Sequence, residues 1–105
     1  MLKRLKSIKG FHMLALEIYI DICLKDALID YLFEKGFDDF FYVECYKYAA
    51  SSLLLSQKEQ VSGRKDYAKF KLFLSDEIAL SLAKDLKNQF ASKEMKLFYS
   101  QTHGL

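Results

Sequence analysis

The hydrophobic and polar positions of the chain fall into six runs. From His12 to Asp21 they alternate, with Leu14, Leu16, Ile18 and Ile20 on one side and Ala15, Glu17 and Tyr19 on the other. That is the period of a β-strand. Asp21 stands where it can cap the next run, in which Leu24, Ala27, Leu28, Tyr31 and Leu32 recur at helical spacing. Lys25, Asp26, Asp30 and Glu34 lie mostly opposite, and Gly36 ends the helix. Residues 39–49 alternate again, with Phe41, Val43 and Cys45 on one face and Phe40, Tyr42, Glu44, Tyr46 and Tyr48 on the other. A third strand over 67–74 sets Ala68, Phe70, Leu72 and Leu74 against Lys69, Lys71 and Phe73. Ser75 is positioned to cap a second helix, with Asp76 and Glu77 in its first turn favouring the helix dipole. Its expected buried stripe is Ile78, Ala79, Leu82, Ala83, Leu86 and Phe90. A last strand covers 95–101.

The order β-α-β-β-α-β predicts an α+β fold, the ferredoxin-like two-layer sandwich. Right-handed crossovers put both helices on one face of a four-stranded antiparallel sheet, with the third strand between the first and second. The aliphatic faces belong under the helices, and Cys45 is expected there as packing. The other face is then open, and the alternation assigns Tyr19, Tyr42, Tyr46, Phe73 and Phe98 to it, with Lys69 and Lys71 pairing across strands with Glu17 and Glu44. Five exposed rings exceed what a soluble monomer ordinarily shows to water. We expect other copies of the chain to cover them, which makes those five residues candidate oligomer-interface positions. The alternative occupant is single-stranded RNA stacked on the rings. Against it, Lys65-Asp66-Tyr67-Ala68-Lys69 has Asp66 and Lys69 where the RNA-recognition signature has a glycine and a stacking aromatic. Glu17 and Glu44 would repel phosphate, so no nucleic-acid partner is expected.

Composition agrees with a single domain of 105 residues, 51% of them hydrophobic, which excludes a disordered chain. The net charge of +2 is carried by the start of the chain. Residues 1–12 hold Lys3, Arg4, Lys6 and Lys9 and no acid, leaving 12 basic against 14 acidic residues elsewhere. We read 1–12 as a basic leader expected to be disordered, and 13–105 as the domain. Glu17 and Asp21 interrupt the apolar stretch that a signal peptide would need, so the expected location is the cytoplasm. Cys23 and Cys45 have no CxxC spacing and are expected to stay reduced.

The connection over 50–66, ASSLLLSQKEQVSGRKD, is far longer than a hairpin loop needs. Leu53, Leu54, Leu55 and Val61 suggest a hairpin arm that extends the strands. Gly63 marks a turn or a close approach of a ligand to the backbone, and Arg64 and Lys65 beside it form a candidate anion-attracting corner. Lys58 is a further candidate ligand contact in the same stretch.

The element order over 13–105 and this long connection resemble the PII-like family of small trimeric regulators. The segment Glu59-Gln60-Val61-Ser62-Gly63-Arg64-Lys65 is similar to the Gln-Val-x-Gly-Arg-like end of the loop in one branch of that family, bacterial proteins often encoded beside heavy-metal efflux pumps. The resemblance implies a homotrimer with its sheets packed inside, and ligand clefts between subunits at the base of the long loop. It also implies a regulatory role without catalysis, with a membrane efflux-system protein as a candidate partner. Nucleotide-binding members carry a Thr-Gly-x-x-Gly-x-Gly-Lys stretch before the last strand. Here Phe90-Ala91-Ser92-Lys93-Glu94-Met95 has no glycine, which leaves Lys93 to meet a phosphate without a cradle. ATP is therefore not the expected ligand.

The efflux association raises a second functional alternative, a divalent-metal-binding trimer. Its candidate ligands are His12, Cys23, Cys45 and His103, none at a recognised metal spacing. His103, near the end of the chain, is the one assigned, since threefold repetition lets one histidine per subunit build a site. No nucleophile elbow, P-loop or fixed His–carboxylate pairing is present, and Ile20-Asp21-Ile22-Cys23 replaces the phosphate-binding loop of acylphosphatases. The reading is a non-enzyme.

Overall fold

A computed structural model describes residues 11–48, 64–91 and 94–105. It contains β1 (Phe11–Asp21), a short 3-10 turn (Ile22–Leu24), α1 (Lys25–Glu34), β2 (Phe41–Tyr48), β3 (Arg64–Leu74), α2 (Asp76–Gln89) and β4 (Met95–Gly104). The four strands form one antiparallel sheet in the order β2-β3-β1-β4. This is the ferredoxin-like sandwich that the hydrophobic pattern predicts.

The core lies between one sheet face and the two helices. Leu16, Ile18 and Ile20 of β1 and Ala68, Phe70 and Leu72 of β3 meet Leu28, Leu32, Leu82, Leu86 and Phe90 there, all buried. Tyr31 of α1 packs edge-on against Phe90 at 5.8 Å and joins the helices. Each fully buried aliphatic side chain contributes about 1.5–3 kcal/mol. Ile78 is an exception to the expected stripe: it is half exposed, because it falls one position before the Ala79–Leu82–Leu86 line that faces the sheet.

Helix ends follow local chemistry. Asp21 caps the 3-10 turn, its Oδ1 accepting from the Cys23 backbone N–H at 2.9 Å. At the other end of α1, the Phe37 N–H donates to Leu32 O at 2.8 Å and the Gly36 N–H to Phe33 O at 3.0 Å. This double bond is the Schellman arrangement, and it requires the left-handed φ of +91° that Gly36 adopts. Ser75 occupies the N-cap position of α2, but its side chain makes no capping bond; its carbonyl accepts from Ala79 N–H instead.

Three boundaries differ from the sequence reading. β1 begins at Phe11 and β4 runs to Gly104, because Phe11↔Gly104 and His12↔His103 continue the ladder past the point where alternation fades. The strand thus starts inside the segment read as leader. β3 begins at Arg64, so Arg64, Lys65 and Asp66 belong to a strand and not to the connection.

Register corrects the faces of β2. Tyr42, Glu44 and Tyr46 lie opposite Phe70, Ala68 and Asp66, whereas Phe41, Val43 and Cys45 lie opposite Lys71, Lys69 and Tyr67. Opposed residues share a face. Tyr42 and Tyr46 are therefore on the helix side, and Phe41, Val43 and Cys45 on the open side, the reverse of the expected arrangement. Phe40 also packs on the helix side, 5.6 Å from the Phe70 ring.

Candidate functional site

The open sheet face carries two features, an apolar patch and a linked set of charges. In the patch, Phe41, Val43, Phe73 and Phe98 are all exposed, by between 41% and 65%. Phe41 meets Phe73 edge-on at 6.2 Å, and Tyr19 meets Phe98 edge-on at 5.9 Å. Of the five expected interface residues, Tyr19, Phe73 and Phe98 are on this face; Tyr42 and Tyr46 are not. Phe41 and Val43 take their place. Lys71 pairs with Glu17 at 3.3 Å as expected. Lys69 lies over the Tyr19 ring, and Glu44 is on the far side of the sheet, 3.8 Å from Lys25. The hydroxyl of Tyr19 donates to Glu17 at 2.8 Å, which with Lys71 holds the Glu17 carboxyl below its usual range against the opposing effect of burial.

The charges gather where β1 ends and where β3 and β4 begin. Strand pairing brings Asp21 opposite Tyr67, two residues from Lys65, and the Asp21 N–H donates to the Glu94 carbonyl at 3.4 Å. Lys65 Nζ lies 3.2 Å from Asp21 Oδ2 and also donates to Glu94 Oε1. Tyr67 Oη donates to Glu94 Oε2, and Lys47 Nζ stands 3.7 Å from the same oxygen. Lys47 also lies over the Tyr67 ring at 5.3 Å, and Tyr67, on the central strand β3 between Asp21 and Cys45, is only 3% exposed.

This set is electrically balanced, two ammonium groups against two carboxylates. The bond to Glu94, aided by that to Asp21, raises the Lys65 pKa against the lowering effect of burial. Burial pushes Asp21 up, but the bonds from Cys23 and Lys65 outweigh it and leave the carboxyl below its ordinary value. Burial acts likewise on Glu94 and is outweighed by Lys65 and Tyr67. The Cys23 thiol is pushed up by its bond to Asp21 and by burial.

Beside this set an open groove of about 410 Å³ runs across the sheet face. Tyr19, Tyr67 and Phe98 supply rings, Lys47 and Lys96 supply cations, and Glu17, Cys45 and Tyr46 complete the lining.

Alternation along β3 separates two residues that the sequence reading placed in one anion-attracting corner. Lys65 points to the open face, while Arg64 points to the helix side, with its guanidinium carbon 4.2 Å from the Tyr46 ring centre and Nε 3.5 Å from Asp66. Lys58, Gly63 and Lys93 lie outside the described residues. His103 sits at the opposite end of the sheet, against His12. Among the described residues no group of three or more His, Cys, Asp and Glu could hold a metal ion. Sequence reasoning missed Asp21, Glu94, Tyr67 and Lys47 as members of a common set. The signal was present only jointly, in the strand order and in the register that sets Asp21 opposite Tyr67.

The family model described as Protein of unknown function (DUF3240) matches residues 11–102. The chain belongs to this family. A search of curated proteins finds no match. Among solved structures, the DUF3240 chain is similar to CPII of Thiomonas intermedia, a nitrogen regulatory PII-like protein solved with ADP, AMP and bicarbonate. Identity is 16% and the TM-score 0.67, over 90% of this chain and 94% of that one. The apo form of CPII gives 15% and 0.68, over 92% and 96%. A PII-like protein of Thermus thermophilus gives 11% and 0.68, over 93% and 94%. At these identities the likeness is one of fold: this DUF3240 chain has the PII-like fold over nearly its whole length. Among its described residues no helix is long and apolar enough to cross a membrane.

Proposed function

We propose that this DUF3240 chain is a non-enzymatic PII-like signalling protein that assembles through its open sheet face, as a trimer, and takes a small ligand in the groove beside Lys65. The observation that carries this reading is the groove itself, with aromatic rings on one flank of a charge-balanced set and Lys47, next to the last residue of β2, on its lining. When copies meet over Phe41, Val43, Phe73 and Phe98, the groove becomes a cleft between subunits.

The rings and the flanking Lys47 and Lys96 favour a flat molecule carrying one or two anionic groups. A triphosphate fits less well, since Lys65 is already matched by Asp21 and Glu94. An anion that takes the place of Glu94 on Lys65 would release the start of β4 and pull on the start of β3. That displacement would reach the connection between β2 and β3, where Lys58 and Gly63 are the expected contacts, and Lys93 would meet the ligand from the segment before β4. Ordering of a segment by ligand is an established way to change what a protein docks against.

Two measurements test the proposal. Light scattering at micromolar concentration should give three times the protomer mass. Thermal-shift titration with AMP, ADP and bicarbonate should raise the melting temperature for at least one of them, and Lys47→Ala should abolish that rise. A monomer that responds to none of the three would sink the reading.

A further inference from the structure

β1 and β4 run antiparallel, and their register sets His12 directly opposite His103. The ring centroids are 4.3 Å apart, with the planes at 68°. Both residues are exposed. Directly opposed residues of an antiparallel ladder leave the sheet on the same face, so two imidazoles emerge from one patch of surface with their backbones already held by strand pairing. On the adjacent pair the Thr102 hydroxyl donates to the Met13 carbonyl at 3.1 Å, which ties the ladder next to the rings.

We propose that His12 and His103 form a chelating site for a divalent transition-metal ion, with Cu(II) bound most tightly. Metal–imidazole bonds of about 2.0–2.1 Å require the two coordinating nitrogens to lie about 3 Å apart. Rings with centroids at 4.3 Å reach that separation by turning about their Cβ–Cγ bonds, and exposed rings turn without disturbing the core. Imidazole nitrogen selects Cu, Ni and Zn over Mg and Ca, and the order of affinities among first-row ions places Cu(II) at the top. No third His, Cys, Asp or Glu among the described residues joins the pair, so water completes the coordination. The site is distinct from the Lys65 set: nine residue steps along β1 lead from His12 to Asp21, roughly 30 Å at the rise of an extended chain. It does not depend on the PII-like signalling role.

Tag-free chain titrated with copper, nickel and zinc chlorides near neutral pH tests the site. Calorimetry should find one ion per chain, with copper the tightest. His12→Gln and His103→Gln should each weaken binding by more than the roughly 10–100-fold that loss of an outer-shell partner costs. Paramagnetic resonance of the copper-loaded wild-type chain reads the ligands without any substitution, and should show two imidazole nitrogens. No copper binding by the wild type, a spectrum without histidine nitrogen, or unchanged affinity in both variants overturns the proposal.

Discussion

Tyr42 lies directly across the ladder from Phe70, with ring centroids 5.1 Å apart, and this pair sets which side of β2 faces the helices. The Tyr42 hydroxyl donates to Glu44 at 2.7 Å, and Lys25 of α1 lies over the ring. Burial first, and then the Glu44 carboxylate, push its pKa up to about 12.

Tyr42→Ala should therefore destabilise the fold by about 2 kcal/mol, below the usual 3–5 kcal/mol for a fully buried ring because Tyr42 is only half buried. In a domain of this size that lowers the melting temperature by roughly 8–16 °C. Tyr42→Phe should lose about 1 kcal/mol or less. The folded chain holds the phenol proton more tightly than the unfolded one. The wild type should thus lose stability between about pH 10 and about 12, and Tyr42→Phe should lose less. Thermal melts across alkaline pH check all three.

Lys65 and its two carboxylates predict a stability plateau. Asp21 and Glu94 titrate lower in the folded chain, so their contribution is complete above the ordinary carboxylate range near ~4 and falls away as pH drops through their depressed folded values. The raised pKa of Lys65 acts at the other end: its contribution is complete below ~10.4 and is lost as pH climbs through its raised value. Lys65→Met should lower mid-range stability and flatten both limbs of the urea-midpoint profile. An unchanged acid limb would show that Lys65 does not hold the carboxylates down.

Assembly is predicted to depend on the open face alone. Phe98→Asp or Phe41→Asp should shift the mass toward the protomer while leaving the far-ultraviolet circular dichroism intact, because both rings are more than half exposed in the isolated chain. Tyr99→Asp, equally exposed but on the helix side opposite Leu16, should leave the mass unchanged.

Gly36 offers a test of backbone strain without side-chain contact. A Cβ placed there meets nothing within 4 Å, yet its φ is +91°. Gly36→Ala should therefore cost about 1–2 kcal/mol from the left-handed conformation alone, with Gly36→Asn milder. Urea midpoints at constant m-value measure the loss, and a smaller loss for the larger Asn than for Ala marks backbone strain and not a packing defect.

Much of the fold was legible in the sequence because β1 and β3 have one aliphatic and one mixed face. Leu14, Leu16, Ile18 and Ile20, with Ala68, Phe70 and Leu72, have only one side they can turn toward the helices. The candidate site was legible only in part. Lys65 stood out beside Gly63, but its partners Asp21 and Glu94 lie far away along the chain, and neither spacing nor composition links them.

Alternation and capping by themselves determined the element order and the identity of the aliphatic core, since each follows from periods of two or 3.6 residues read locally, and the crossover rule applied to that order put the third strand between the first and second. Tertiary structure alone decided the faces of β2 and the separation of Arg64 from Lys65. β2 is an edge strand with bulky rings on both sides, so hydrophobicity gives neither side preference. Its register against β3 makes the choice, and one residue of slip would have reversed it.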